Sequence, residues 1–260
     1  MSLMNINYLR HYFQLLEVFT LREIKSRYKA SLLGPLWIVL YPLFTAVILN
    51  FIFGKFIRIK TEGIPYFVFV LSGLIIWNFF QQGVDLAKNS LVWNRELITK
   101  TAFSTSVLPF SYVLSKIPDF LVYLILLLVS YNFNNYRANF SYFSIVIIIL
   151  PLILLTSGVA LISSLTNAVF RDFGKIVDFA FMIIFYATPI IYPESLIPAK
   201  FKFMLYLNPL ALLIAFIRNL LFRSDFRLHL YLLSFPMSLF IFLLGIILFK
   251  NFNKKVADLI

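Results

Sequence analysis

Residues able to catalyse a reaction or to bind a metal ion are few in this chain. It contains two histidines, His11 and His229, and no cysteine. Neither histidine has thiols or carboxylates near it at the spacing of a metal site. Two Gly-Lys pairs also lack the remaining residues of a phosphate-binding loop, Gly54-Lys55 and Gly174-Lys175. We therefore predict no catalytic residue, metal or cofactor in this chain, so that any ATP must be hydrolysed by another chain.

Three charged residues lie within or beside long apolar segments. Lys116 and Asp119 are spaced i, i+3, which places both on one face of a helix. We predict that they form an ion pair inside a helical bundle, with a place on a substrate path as the alternative. Asp178 follows Lys175 by about one helical turn, and we interpret it as a solvated residue at the cytoplasmic mouth rather than a proton carrier.

A basic cluster, Arg22, Lys25 and Arg27, precedes the first long apolar segment. Basic residues beside a span fix its orientation, so the simplest interpretation is a topology anchor. Arginine also forms charge-assisted hydrogen bonds with phosphate oxygens at headgroup depth. The same residues are therefore candidates for recruiting a lipid-linked diphosphate.

Aromatic residues make up 18% of the chain, and several lie in two of its apolar segments. Flat rings stack on the C–H faces of sugar rings without selecting one hydroxyl pattern, so they would suit a pore for sugar chains. Rings at this depth also pack against helices or lipid, and the sequence leaves both interpretations open. The candidate channel residues are Trp37, Tyr41, Phe44, Phe181, Phe185 and Tyr186.

The composition is that of an integral membrane protein. Hydrophobic residues are 61% and charged residues 13% of 260, too few charges to give a soluble globule a polar surface. The net charge of +12 comes from basic residues scattered between apolar segments. Anionic lipid headgroups explain this distribution better than nucleic acid does. We predict membrane lipids, and no nucleic acid, as partners.

Apolar segments of spanning length predict an all-α fold with six transmembrane helices in a single membrane domain, residues 1–260. Apolar residues at helical spacing predict an amphipathic interface helix at 8–29. A short apolar segment interrupted by Asn208-Pro209 and flanked by Lys200, Lys202 and Arg218 predicts an extracytoplasmic re-entrant hairpin at 194–222. The spans are predicted at 33–54, 64–85, 107–131, 141–168, 176–192 and 230–249.

The distribution of basic residues predicts the orientation. When both termini are placed in the cytoplasm, more lysine and arginine residues lie on the cytoplasmic side than outside. The positive-inside rule therefore predicts a multi-pass protein with both termini cytoplasmic.

Four segments carry a resemblance to a known family. They are LREIKSRYKASLLGPLW at 21–37, continuing to Tyr41-Pro42-Leu43; Arg171-Asp172-Phe173; ATPIIYP at 187–193; and Asn208-Pro209. Together they resemble the permeases of polysaccharide-exporting ABC transporters, most closely the O-antigen export branch. The resemblance covers nearly the whole chain.

This resemblance implies a function and partners. It implies a homodimer with two ATP-binding cassette subunits that carry ATP and magnesium, located in the cell inner membrane. The expected activity is export of an undecaprenyl-diphosphate-linked O-antigen polysaccharide from cytoplasm to periplasm. Teichoic-acid and capsule exporters belong to the same wider family and remain alternatives.

The resemblance also implies a cytoplasmic coupling helix after the second span and a periplasmic gate in the hairpin. Two compact charged segments on the cytoplasmic side are the predicted docking sites for the ATPase. Their residues are Trp93, Asn94, Arg95, Glu96, Arg171, Asp172, Phe173 and Lys175.

Two other function classes fit the sequence less well. An integral membrane glycosyltransferase or acyltransferase needs acid, base or metal-binding residues grouped at one membrane face, and the sequence has no such group. An ion-coupled transporter would use Lys116, Asp119 and Asp178 for coupling, but the inverted repeats typical of that class are not evident.

Overall fold

The computed structural model describes residues 2–29, 33–61, 63–101, 103–133, 142–222 and 227–259. The described residues are helical with short connections, and no β-strand occurs among them. The helices in chain order are α1 (Ser2–Tyr28), α2 (Leu36–Leu49), α3 (Tyr66–Lys88), α4 (Ser90–Trp93), α5 (Arg95–Lys100), α6 (Val107–Leu114), α7 (Ile117–Phe133), α8 (Tyr142–Val169), α9 (Phe173–Ala187), α10 (Phe203–Tyr206), α11 (Pro209–Phe222) and α12 (Leu228–Leu259).

Five stretches of helix are long and apolar enough to cross a membrane. A bent pair, Ala199–Tyr206 and Pro209–Leu221, would add a sixth span if it were counted as one. The predicted all-α, multi-pass architecture is therefore confirmed. The five stretches are Leu36–Phe56, in which a π-helical segment (Asn50–Phe56) continues α2, and Tyr66–Lys88, Val107–Phe133, Ile147–Val169 and Leu228–Phe252.

The predicted fifth span differs most from the structure. Its helix, α9, has 15 residues and ends at Ala187, which gives a length of only about 22 Å. Thr188 is extended, with φ −95° and ψ 136°, because the ring of Pro189 disfavours the helical conformation of the residue before it. Residues 188–192 therefore leave the helix and lie as an irregular segment.

Helix α3 is the centre of the bundle. Most of its residues are buried, and α2, α6, α7, α8, α9 and α11 pack around it. Because helices pack against it on nearly every side, α3 is apolar on nearly every face. Polar residues on α3 are therefore exceptions that require a specific neighbour or cavity.

Helices α8 and α12 approach one another closely at two glycines. A Cβ on Gly158 would lie 2.7 Å from the backbone carbonyl of Ile241, and one on Gly245 would lie 2.7 Å from the carbonyl oxygen of Gly158. Small residues at such crossings let helix backbones pack directly in membranes. The crossing fixes the last span against the bundle.

Helix α1 lies beside α6. Phe19 is buried in a cluster with Leu91, Leu108 and Leu161, whereas Phe13 and other apolar residues of α1 are exposed. The helix therefore presents apolar side chains both to the protein and to its surroundings.

Candidate functional site

A polar stripe runs along the C-terminal half of α3. It consists of Asn78, Gln81, Gln82 and Asp85, whose spacing of i, i+3, i+4 and i+7 places them on one helix face. Two cavities lie against this stripe. The stripe was not identified from the sequence, although its helical spacing within an apolar segment is the signal that could have revealed it.

The first cavity has a volume of about 600 Å³ and lies between α1, α2, α3 and α7. Its walls combine amides, aromatic rings and charges of both signs. The lining residues are Arg27, Gly34, Trp37, Ile38, Tyr41, Gln81, Gln82, Asp85, Lys116, Asp119 and Tyr123.

A buried charge cluster forms one wall of this cavity. Oδ2 of Asp119 accepts a hydrogen bond from Nη1 of Arg27 at 3.0 Å and another from Nζ of Lys116 at 3.0 Å. Lys116 also donates to Oε1 of Gln82 at 2.9 Å. The predicted Lys116–Asp119 ion pair is thus confirmed, and it includes Arg27 as a third member. Partners of this kind are required because an unpaired buried charge is strongly unfavourable.

The second cavity has a volume of about 320 Å³ and lies between α2, α3 and α9. Trp77 makes edge-to-face contacts with Phe185 and Phe181, at ring-centroid distances of 5.2 and 6.2 Å. Five of its eleven lining residues are aromatic. The lining residues are Tyr41, Thr45, Leu74, Trp77, Asn78, Gln81, Asp178, Phe181, Met182, Phe185 and Tyr186.

The two cavities adjoin because Tyr41 and Gln81 line both. From Asp85 to Asn78 the stripe extends about 10 Å along the axis of α3. A ligand could therefore pass from the charged first cavity to the aromatic second cavity along one helix face.

Most of the predicted channel residues line this pair of cavities. Trp37 lines the first cavity, Tyr41 lines both, and Phe181, Phe185 and Tyr186 line the second. Phe44 lines neither, and 55% of its surface is exposed. Helices α2 and α9, which carry the predicted residues, therefore border a common space that Phe44 does not line; a role of these rings as a channel stays a prediction.

The predicted basic cluster is divided between two environments. Arg22 is 44% exposed at its side chain and donates to Oδ1 of Asn94 at 2.8 Å, while Lys25 lines neither cavity. Arg27 reaches the first cavity, where it pairs with Asp119. Only Arg27 of the three is therefore in contact with the candidate path.

The first predicted docking segment is a charged surface held by one buried amide. Arg95 and Glu96 are exposed, as is Trp93. Asn94 is buried and donates to the carbonyl of Ser90 at 2.8 Å. Because Asn94 also accepts from Arg22, it joins this segment to α1.

The second predicted docking segment, between α8 and α9, is joined to the end of α3. Asp172 and Lys175 form an exposed ion pair at 3.7 Å, and Phe173 packs against the main core. The buried ammonium of Lys88 pairs with Asp178 on α9 and, at 2.7 Å, with Asp85. Asp178 is therefore half-exposed but ion-paired, not simply solvated as predicted.

Arg218 was counted from the sequence among the basic residues that flank the short apolar segment of the hairpin on the outside, and the structure corrects this exposed position. It is buried within α11, and its guanidinium donates to the carbonyls of Pro189 and Ile190 at 2.6 and 2.8 Å. These carbonyls are available because the chain leaves the helix after Ala187. The sequence gives no direct signal of this contact, because it depends on which carbonyls the irregular segment exposes.

No group of three or more histidine, aspartate and glutamate residues able to hold a metal ion occurs within the part of the chain that the structure describes. The candidate site consists of aromatic rings, amides and a charge cluster.

Comparison with known proteins places this architecture in a family. Residues 14–222 match the family model described as ABC-2 type transporter. The chain belongs to the ABC-2 type transporter family. Among curated relatives of this ABC-2 transporter, an O-antigen export system permease protein RfbA of Klebsiella pneumoniae is 32% identical over 98% of this chain and 97% of the relative.

More distant relatives extend the comparison. The permease protein RfbA of Myxococcus xanthus, also named for O-antigen export, is 31% identical over 73% of each chain. The polysialic acid transport protein KpsM of Escherichia coli is 26% identical over 75% of this chain and 76% of the relative. The polysaccharide-permease resemblance found in the sequence is thus confirmed.

Proposed function

We propose that this chain is the channel-forming subunit of an ATP-driven exporter that moves an undecaprenyl-diphosphate-linked O-antigen polysaccharide from cytoplasm to periplasm. The observation that carries the proposal is the pair of adjoining cavities along the polar stripe of α3, lined by amides and aromatic rings. The near-complete match to an O-antigen export permease supports the choice of polymer.

The aromatic second cavity is the proposed polysaccharide channel. Tyr41 and Tyr186 expose their rings, so a sugar ring could stack on them from the cavity. Such contacts are numerous and weak, and weak contacts let each repeat unit leave as easily as it enters. A deep hydrogen-bonded site at every step would trap the chain.

The basic cluster is the proposed site of lipid-diphosphate recruitment. Arg22 and Lys25 lie on α1, which we place at the cytoplasmic membrane interface, where headgroup phosphates are found. Arg27 lies at the first cavity and would exchange its bond with Asp119 for a phosphate oxygen. The anchor would thus be bound beside the entrance to the path.

Energy for export is proposed to come from two ATP-binding cassette subunits, which would hold ATP and magnesium. Trp93, Arg95 and Glu96 offer an exposed docking surface, and the segment between α8 and α9 offers a second. Because Lys88 joins the ends of α3 and α9, movement of either docking segment would reach the helices that border the channel.

The proposed assembly is a homodimer in the cell inner membrane with both termini cytoplasmic. Phe179, Met182 and Ile183 are exposed on α9, beside the second cavity, and a second copy would cover this face and close the channel. The 97° bend between Ala199–Tyr206 and Pro209–Leu221 supports a re-entrant extracytoplasmic hairpin that serves as a gate. Export of a capsule polymer by the same path is a second candidate, supported by the likeness to the polysialic acid transport protein.

The proposal is tested by coexpressing the chain with ATP-binding cassette subunits from its own genome and purifying the complex. We expect one such subunit to copurify, and its ATP hydrolysis to rise when undecaprenyl-diphosphate-linked O-polysaccharide is added. A stable complex that responds only to a capsule polymer would favour the second candidate. Failure to form a complex with every candidate ATPase would contradict the exporter function.

A further inference from the structure

One buried amide in the second cavity lacks a hydrogen-bond partner. Asn78 is 4% exposed, and its Nδ2 makes no hydrogen bond among the described residues. One other buried side-chain atom in the described part of the chain shares this condition, Oγ of Ser90. Buried polar groups are nearly always paired, so an unpaired donor in a cavity indicates a partner that is not part of the protein chain.

The immediate surroundings of Asn78 offer the amide few acceptors. Trp77, Phe181 and Phe185 supply rings. The lining also contains three further non-aromatic side chains with acceptor oxygens, Thr45, Gln81 and Asp178, but Nδ2 of Asn78 makes a hydrogen bond with none of them. A hydrogen-bond donor located among aromatic rings suits a sugar, because the rings stack on its C–H faces and the donor bonds one of its oxygens.

We propose that Asn78 is a specificity-determining residue of the export path, donating a hydrogen bond from its amide to a hydroxyl or acetamido carbonyl oxygen of a sugar ring in the second cavity. The inference rests on the proposed function and adds to it one directional contact among the weak aromatic ones. The terminal torsion of asparagine is soft, so the buried Nδ2 turns toward the cavity when a sugar enters. A lipid acyl chain has no acceptor for this donor.

The position of Asn78 suits this role. It lies one helical turn from Gln81, which lines both cavities. A sugar chain that passes the amides of Gln82 and Gln81 in the first cavity reaches Asn78 next along the stripe. Asn78 therefore contacts the polymer where the path changes from charged to aromatic.

The test is the variant Asn78→Leu, of similar volume, in the complete transporter complex. The probes are undecaprenyl diphosphate with and without its O-polysaccharide. We expect the concentration of polymer-bearing lipid that half-maximally stimulates ATP hydrolysis to rise roughly 3- to 10-fold, the equivalent of one neutral hydrogen bond. The half-maximally stimulating concentration of the sugar-free lipid should not change. Thermal stability should be kept or raised, because an unsatisfied buried donor is removed.

Ser90→Ala is the matched control. It removes the other unpaired buried polar atom, which lines neither cavity, so we expect no change in the response to either lipid. If Asn78→Leu does not assemble, Asn78→Ser replaces it, because serine keeps a hydrogen-bond donor of shorter reach. The half-maximally stimulating concentration of the polymer-bearing lipid should still rise, and that of the sugar-free lipid should not.

Three outcomes would overturn the inference. An unchanged response of the Asn78 variants to the polymer-bearing lipid would show that the amide does not contact sugar. An equal loss of response to both lipids would show that Asn78 stabilises the folded protein and does not select sugar. If the unmodified complex responds to neither lipid, the proposed function itself fails, and the sugar contact fails with it.

Discussion

Two arginines, Arg218 and Arg27, both pack against other helices and donate to backbone carbonyls, but they differ in the charge of their remaining acceptors. All four oxygens that accept hydrogen bonds from Arg218 are neutral: three backbone carbonyls and the hydroxyl of Ser72. Its guanidinium also lies 3.6 Å from the ring centroid of Phe69. Arg27 also donates to backbone carbonyls, those of Glu23 and Ser115, but its Nη1 pairs with the carboxylate of Asp119 at the edge of a cavity.

The difference separates a fixed cation from an exchangeable one. The backbone carbonyls that bind Arg218 are fixed by the fold. Gly73 lets the guanidinium approach α3 closely, because a Cβ there would lie 3.1 Å from Nη2 of Arg218. Asp119 can give up Arg27 to another anion that enters the cavity. An arginine in this bundle is therefore structural where all its acceptors are neutral, and a candidate for substrate binding where one acceptor is a carboxylate beside the first cavity.

The largest effect, on the stability of the folded protein, is expected from substitution of Arg218. Arg218→Met would leave the carbonyls of Pro189 and Ile190 buried without donors, at a cost of about 1–3 kcal/mol each. Arg218→Lys should fare little better, because one ammonium cannot reach oxygens on both the irregular segment and α3. We expect both variants to lose most folded protein in detergent size-exclusion profiles and melting curves. Lys202→Met, an exposed change nearby, is the control, and normal melting of Arg218→Met would contradict the structural role.

Reversing the exposed charges at Arg95 and Glu96 should have the next largest effect, on transport alone. Neither side chain is buried, so Arg95→Glu with Glu96→Arg should leave the melting temperature unchanged. If these residues dock on the ATPase, polymer export should be lost while the permease still folds. Lys202→Glu, also exposed, is the matched control. Full ATPase association and normal export in the double variant would remove the assignment of this segment.

Asp119→Asn should convert the exchangeable cluster into an anion site. The change removes the carboxylate between Arg27 and Lys116, so two cations would face the first cavity. We expect roughly 3- to 10-fold tighter binding of undecaprenyl diphosphate, as charge-assisted hydrogen bonds become available to phosphate. Because the cavity admits water to both cations, the melting temperature should fall less than in Arg218→Met. Binding that stays equal to wild type would show that Arg27 is as fixed as Arg218.

The smallest effect is expected from exchanging Arg22 and Arg27 together for lysine. Lysine keeps the charge but loses the planar fork that binds phosphate oxygens in pairs. Lipid-stimulated ATP hydrolysis should fall roughly two- to fivefold, and further with alanine at both positions. Equal and unimpaired stimulation in both variants would reduce the cluster to a topology anchor.

The sequence predicted what depends on composition and spacing along one helix. The spans at α3 and α12 follow from uninterrupted apolar segments, and the Lys116–Asp119 pair follows from its i, i+3 spacing. The shared space between α2 and α9 was anticipated from prolines and aromatic rings, which mark irregular helices and possible sugar contacts.

Contacts between distant segments could not be predicted in this way. Arg27 reaches Asp119 across 92 positions, and Arg218 reaches Phe69 across 149, so neither partner is readable from local spacing. Helix α9 ended five residues before the predicted limit because the effect of Pro189 on Thr188 outweighed hydrophobicity. The orientation of Phe44 depends on how α2 is rotated in the bundle, which its apolar sequence does not specify.

The central claim is that polymer passes through the cavities beside α3, and cysteine accessibility tests it most directly. The chain has no native cysteine, so single cysteines can be placed at Tyr41, Phe44, Phe185 and Tyr186, with Phe240 on the exposed face of α12 as the control. Each is labelled with a membrane-impermeant thiol reagent, with the exporter empty and with it stalled on polymer. We predict polymer-dependent protection at Tyr41, Phe185 and Tyr186, weaker protection at Phe44 and none at Phe240. Absence of polymer-dependent protection at all four candidate positions would contradict the account.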